Sequence, residues 1–295
     1  MLYSHAVSLY LKYCYNLAER TRIIYQDHLS RLQSWLEQDC PLADLDHYRL
    51  IDFMAGLKKQ SGQAYAPGYL SQIYRSLHSF FEYCRNETWI EDNPMARVPR
   101  PRLYTGPKPR LSLDQVRDLI REVKLTSLAE RNLAIILLMV DSGLRLDEVV
   151  KLRAADVYRP EGLIYVRSSK TLTYREVPIS PETVASLTDY LIVRPAFKRN
   201  DEPFFLTRDR KPLTKQAVHL LMKRLQQKLG YPLHCHLLRH TFANLYIREG
   251  NLRKLQKILG HSRIDTTARF YTDPDLGDIQ NEHRSASPLG QLRRK

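Results

Sequence analysis

The sequence predicts a mostly α protein with one small β-sheet, made of an N-terminal helical bundle and a C-terminal α+β domain. Three observations predict it. Apolar residues recur at helical spacing through the first hundred residues, a basic proline-rich stretch then breaks the pattern, and the helical pattern that resumes beyond it contains two short strand-like runs close enough to pair. A chain of 295 residues also exceeds the usual single core, which favours two domains. The boundaries that follow are a helical domain over 1–96, a linker over 97–110, an α+β domain over 111–272 and a tail over 273–295.

Taken in order, Arg20 to Leu36 carries Ile23, Ile24, Leu29, Leu32, Trp35 and Leu36 at roughly helical spacing, with Thr21 as its expected cap. Tyr69 to Tyr83 repeats the pattern with Leu70, Ile73, Leu77, Phe80 and Phe81. Residues 97–110 hold four prolines, one glycine, five cations and no acid. Proline keeps such a segment extended, and Arg97, Arg100, Arg102, Lys108 and Arg110 suit it to lie along a phosphate backbone. Beyond Leu111, Ser112 or Asp114 should cap a helix running through Val123. Leu128 to Ser142 reads as a buried helix ended by Gly143. Leu163–Val166 and Arg175–Ile179 read as a hairpin, with Ser168 to Tyr174 at or near its turn. Thr214 should cap a helix with the stripe Val218, Leu221, Met222, Leu225 and Leu229, closed by Gly230. A further helix is expected over Leu238–Glu249, then a short one over Leu252–Leu259, capped by Asn251 and ended by Gly260.

The net charge of +14 favours a polyanionic partner such as nucleic acid, with a membrane surface as the competitor. The longest apolar run, Leu133 to Val140, is too short to cross a bilayer, and the N-terminus lacks signal-peptide grammar, which points to a soluble cytoplasmic protein. Cys14, Cys40, Cys84 and Cys235 stand apart without paired spacing. They are expected to be reduced and mostly buried, and to form neither a disulfide framework nor a zinc site.

The chemistry sits in the second half. Attack on a phosphodiester builds negative charge on the non-bridging oxygens, which forked guanidinium donors suit; Arg145 and Arg239 are the candidates. His236 and Arg239 are three apart and should share a helix face. His261 follows a glycine-ended helix, where the backbone can hold an imidazole in a cleft. Tyr271 is a phenol that needs a base or a strongly positive site to act as nucleophile. Lys170, on the hairpin, could protonate the leaving 5′ oxygen. Glu148, one turn after Arg145, should orient that guanidinium, and His240, about 100° round the helix from Arg239, should face the core. Any one of these alone has a plain structural reading, and with 18 tyrosines most are packing residues; only the conjunction argues for a site.

These residues resemble the tyrosine recombinases or phage integrases, most closely their Xer-like members. Gly143-Leu144-Arg145-Leu146-Asp147-Glu148 is similar to their Gly-Leu-Arg-x-x-Glu. Lys170 and Arg175, five apart before Val177-Pro178, are similar to their hairpin. His236 to His240 resembles their His-x-Leu-Arg-His box, Leu259 to Ser262 their Leu-Gly-His-Ser, and Thr266-Thr267 with Tyr271-Thr272 their nucleophile segment. The resemblance implies a SAM-like core-binding domain ahead of the catalytic domain, and a C-shaped clamp on double-stranded DNA. It implies a 3′-phosphotyrosyl intermediate, a free 5′ hydroxyl, strand exchange through a Holliday junction in a homotetramer, and a C-terminal segment docked on a neighbouring subunit. It implies no metal and no nucleotide cofactor. Two departures stand out: the tyrosine lies ten residues after His261 where nine is usual, which is Phe270 here, and Thr171 replaces the glycine that usually follows the lysine. The expected function is site-specific recombination, serving integration and excision or the resolution of dimers or cointegrates. The alternatives are a type IB topoisomerase that relaxes DNA without exchanging partners, and an inactive DNA-binding accessory protein.

Overall fold

The computed structural model describes residues 1–59, 61–102, 109–167, 174–199, 201–249 and 251–260, without the side chains of 248 and 249. The chain divides into two compact units, Met1–Gly106 and Pro107–Lys295, a division that falls inside the proline-rich stretch.

The first unit is a helical bundle of α1 (Tyr3–Tyr13), α2 (Glu19–Trp35), α3 (His47–Gly56) and α4 (Pro67–Asn86). Its core is aromatic: Phe80 takes the rings of Tyr3 and Tyr10 edge-on, each at 5.5 Å, and Phe81 at 5.0 Å. The buried hydroxyls have partners, Tyr3 donating to the Leu29 carbonyl at 2.9 Å and Tyr74 to the Met95 carbonyl at 2.9 Å. Two expectations for α2 fail. It begins at Glu19 with Ala18 as N-cap, so Thr21 lies inside the helix and caps nothing. Ile23 and Ile24 remain 58% and 36% exposed and Trp35 38%, while His28 is buried against the Ser76 hydroxyl at 2.7 Å. The buried stripe therefore runs through His28, Leu29 and Leu32, one polar residue wider than hydrophobicity alone can reveal. The first residues of the expected linker belong to this core, with Val98 packed beside Met95.

The second unit starts with α5 (Leu113–Val123), whose cap Ser112 makes a reciprocal capping box with Gln115. The following helix, α6 (Ala129–Ser142), is buried on most sides and packs on α8 (Pro181–Val193) and α10 (Cys235–Glu249). Between α6 and α8 come the short helix α7 (Leu146–Val150) and an antiparallel sheet in the order β1 (Val157–Tyr158), β2 (Leu163–Arg167), β3 (Tyr174–Pro178). Ile164 pairs with Val177 and Val166 with Arg175, and the three apolar residues of these pairs face the core. α9 (Lys215–Leu229) and α11 (Leu252–Leu259) are capped by Thr214 and Asn251 and ended by Gly230 and Gly260, as expected. α10 starts three residues before its expected Leu238, with the His236 box in its first two turns. In this unit α7, β1 and α8 are additions to the expected elements. α8 buries Thr183 and Ser186 beside Leu187 and Tyr190, so its apolar periodicity is weak. Its position is fixed by Asp141 of α6, which accepts from the Ser180 N–H at 2.7 Å and the Thr183 hydroxyl at 2.8 Å. Among the described residues no helix is long and apolar enough to cross a membrane. Cys14, Cys84 and Cys235 are buried free thiols and Cys40 is half-buried.

Candidate active site

Two glycine turns organise the site. Gly143 ends α6 at φ +63°, and a Cβ there would collide with the Phe242 ring and lie 2.9 Å from Leu259. Gly260 ends α11 at φ +64°, where a Cβ would come within 3.0 Å of the Arg175 side chain. Both positions favour glycine for conformation; Gly143 also leaves no space for a Cβ, and at Gly260 one would press on Arg175.

Arg239, only 4% exposed on α10, joins the two turns. Its Nη1 donates to the Gly143 carbonyl at 2.6 Å and its Nη2 to the Leu259 carbonyl at 2.8 Å. These helix-terminal carbonyls lack intrahelical partners, and a buried guanidinium satisfies them with charge-assisted bonds. The turn before Arg145 and the turn before His261 thus lie on the same side chain.

Arg145 follows as the N-cap of α7 and is held by Glu148, whose Oε2 accepts from the Arg145 backbone N–H at 2.7 Å and whose Oε1 accepts from Nη1 at 3.2 Å. Glu148 also takes the guanidinium of Arg175 on both oxygens, at 2.9 and 2.8 Å. Burial pushes the Glu148 carboxyl up, but the hydrogen bonds and charge of Arg175, with the backbone and charge of Arg145, hold it below the usual carboxylate range. Of these three arginine side chains Arg145 is the most open, 40% exposed against 14% for Arg175.

His236 is exposed on the first turn of α10, so it and Arg239 share a helix turn but not a burial. His240 is half-buried with Nδ1 inside, 6.3 Å from the His236 ring. Lys170, His261 and Tyr271, with the ten-residue step that joins the last two, lie outside the described residues, as does Lys108. Of the other linker cations, Arg97 is an exposed partner of Asp92 at 3.9 Å, Arg100 lies 5.8 Å from the Tyr74 ring centre, and Arg110 donates to Asn244 of α10 at 3.3 Å.

Two features escaped the sequence reading. Arg175 was visible there only as the cation after Lys170, and its bond to Glu148 has no local signal. Asp147 pairs with Lys215 of α9 at 2.6 Å and with Lys151 at 3.6 Å, and the Lys215 bond is the main cause that lowers its carboxyl. That pair ties the Arg145 segment to a helix almost seventy residues away. Among the described residues no three His, Cys, Asp or Glu side chains could hold a metal ion.

Residues 109–276 match the phage integrase family. The chain is 30% identical over 264 residues to the tyrosine recombinase XerC of Pseudomonas syringae pv. tomato, covering 88% of this chain and 84% of that protein. It is 30% identical over 254 residues to XerA of Thermococcus kodakarensis, covering 84% and 85%. Its fold is similar to the integrase of transposon Tn1549 solved with transposon right end DNA, at 20% identity and TM-score 0.79 over 96% of this chain and 98% of that one. It is also similar to a λ integrase dimer bound to a core site, at 20% identity and TM-score 0.76 over 94% and 97%. With a family match over more than half its length and a relative 30% identical over most of both chains, the chain belongs to the phage integrase family, the tyrosine recombinases, enzymes that break and rejoin DNA.

Proposed function

We propose that the chain is a site-specific recombinase that acts on double-stranded DNA as a homotetramer in the cytoplasm, for integration and excision or for resolution of dimers or cointegrates. The Tyr271 oxygen attacks the scissile phosphorus while His236 assists removal of its proton. The bond from phosphorus to the 5′ oxygen breaks, and Lys170 supplies the proton that this oxygen takes. Arg145, Arg239 and His261 stabilise the charge that builds on the phosphorane. The 3′-phosphotyrosyl linkage is then attacked by the 5′ hydroxyl of the partner strand, which forms a Holliday junction. Glu148 and His240 support the site. Arg97, Arg100, Arg102, Lys108 and Arg110 contact the DNA backbone, and residues 273–295 dock on a neighbouring subunit.

The observation that supports this reading best is the pair of bonds from Arg239 to the Gly143 and Leu259 carbonyls. Segments more than a hundred residues apart are held to one guanidinium, and the residues that follow each turn, Arg145 and His261, are those the chemistry needs. Tyr271→Phe tests the reading: the variant should bind and pair DNA sites as the wild type does while forming no covalent adduct on a nicked suicide duplex. Normal cleavage by this variant would refute the assignment, and relaxation of any supercoiled plasmid by the wild type would point to a topoisomerase.

A further inference from the structure

Arg175 stands in the fold where its sequence neighbourhood gives it no task. Its side chain is 14% exposed and fixed from two sides: Nη1 and Nη2 grip both oxygens of Glu148 at 2.9 and 2.8 Å, and Nε donates to the Ile258 carbonyl at 2.8 Å. Gly260 lies against it, where a Cβ would stand 3.0 Å from the Arg175 Cδ and Nη1. Glu148 therefore lies between two guanidiniums and is shared unequally. Arg175 takes the bidentate fork, while Arg145 keeps one longer side-chain bond at 3.2 Å and stays 40% exposed.

A carboxylate this buried needs its charge met. With Arg175 gone, the nearest cation able to meet it is Arg145, already bonded to one of its oxygens. Arg145 would close into the bidentate pair that Arg175 now makes, turning its donors inward and cancelling the charge that a phosphoryl oxygen requires. We infer that Arg175 is a positioning residue that saturates Glu148, so that Glu148 aims the Arg145 guanidinium without neutralising it. This rests on the proposed function for the anion that Arg145 meets.

The test compares wild type, Arg175→Met, Glu148→Gln and the double variant on a nicked duplex selected from a randomised library for tight binding to the wild type. DNA affinity, adduct rate at saturating DNA and thermal midpoint are read for each. Arg175→Met should lose at least about 30-fold in adduct rate at unchanged affinity, a split that a purely structural role would not produce. Adding Glu148→Gln should bring the rate back to within about threefold of Glu148→Gln alone, because the carboxylate that captures Arg145 is gone. A double variant as slow as Arg175→Met overturns the inference, as does an Arg175→Met enzyme that cleaves at the wild-type rate. Should Arg175→Met fail to fold, Arg175→Lys replaces it: a single ammonium satisfies one oxygen, so the loss should be smaller and again recovered by Glu148→Gln, and absence of recovery overturns the inference. No adduct from the wild type would bring down the proposed function and this inference together; a wild type that cleaves beside a double variant more than about threefold slower than Glu148→Gln alone would bring down this inference alone.

Discussion

The helical bundle and the candidate site are held together by different chemistry. In the bundle, Phe80 sits among Tyr3, Tyr10 and Phe81 with ring centres 5.0 to 5.5 Å apart, and the stabilising contact is apolar area. Such contact has no strong direction, so its loss is graded by the volume removed. In the site, two glycine turns, a helix N-terminus and a strand meet through Arg239, Arg175 and Glu148, each bond set by donor direction. Charge-assisted hydrogen bonds of this kind stabilise their own unit and, unlike apolar contact, also fix where Arg145 stands. Stability of the bundle and geometry of the site should therefore be separable by mutation, with a convenient probe: both tryptophans, Trp35 and Trp89, lie in the first unit.

The largest effect is expected from Arg239→Met. Two charge-assisted bonds are lost, each worth about 1.5–3 kcal/mol, and two buried carbonyls are left without this donor. The second unit should lose at least about 3 kcal/mol of stability and the adduct rate should fall at least about 100-fold, while the urea midpoint reported by tryptophan fluorescence stays put. A tryptophan midpoint that moves with Arg239 would mean that the two units share one unfolding transition, and the contrast would fail.

Phe80→Ala is the mirror experiment. Truncating a fully buried ring should cost about 3–5 kcal/mol in the tryptophan-reported transition. Below that transition, the adduct rate at saturating DNA should stay within about threefold of the wild type, since among the described residues no bond in the site involves the ring. A large loss of rate in folded protein would show that bundle packing also sets site geometry.

What the sequence made legible divides along the same line. Ser112, Thr214 and Asn251 are caps that act within three residues of themselves, and each was readable because its partner is local. Gly143 and Gly260 were readable as helix ends for the same reason, since a left-handed residue there is a local requirement. The space each glycine leaves for Phe242 and Arg175 was not. Arg239 and Arg145 could be chosen by the chemistry they offer, but the carbonyls that hold Arg239 lie 96 and 20 residues away, and no spacing rule reaches so far. α8 was missed because Asp141, a residue of another helix, supplies part of what its own sequence lacks in apolar pattern. In the bundle, the stripe of α2 was misjudged where a polar residue, His28, is buried with a hydroxyl partner and two isoleucines are left outside.

That histidine gives the smallest and sharpest test of the contrast, through pH. His28 is 1% exposed, and burial lowers its affinity for a proton, opposed by Asp27 and aided by Arg31. A lowered histidine is neutral in the fold and protonates more readily in the unfolded chain. The unfolded state therefore binds more protons as pH falls below 6.5, its ordinary value, and the bundle loses stability from there down to the lowered folded value. Glu148 has the opposite ionic form but the same sign: its carboxyl is lowered from 4.5, so its contribution is present above 4.5 and is lost only as pH falls through the folded value. Below 6.5 and above 4.5 the tryptophan-reported unfolding free energy should therefore decline with a slope below about 1.4 kcal/mol per pH unit, the limit for one proton, while the transition of the second unit holds. His28→Gln should flatten the tryptophan slope above the carboxylate range and Glu148→Gln should leave it alone. If Glu148→Gln flattened it instead, the acid sensitivity of the bundle would originate in the site, and the two regions would have to be treated as one ionic system.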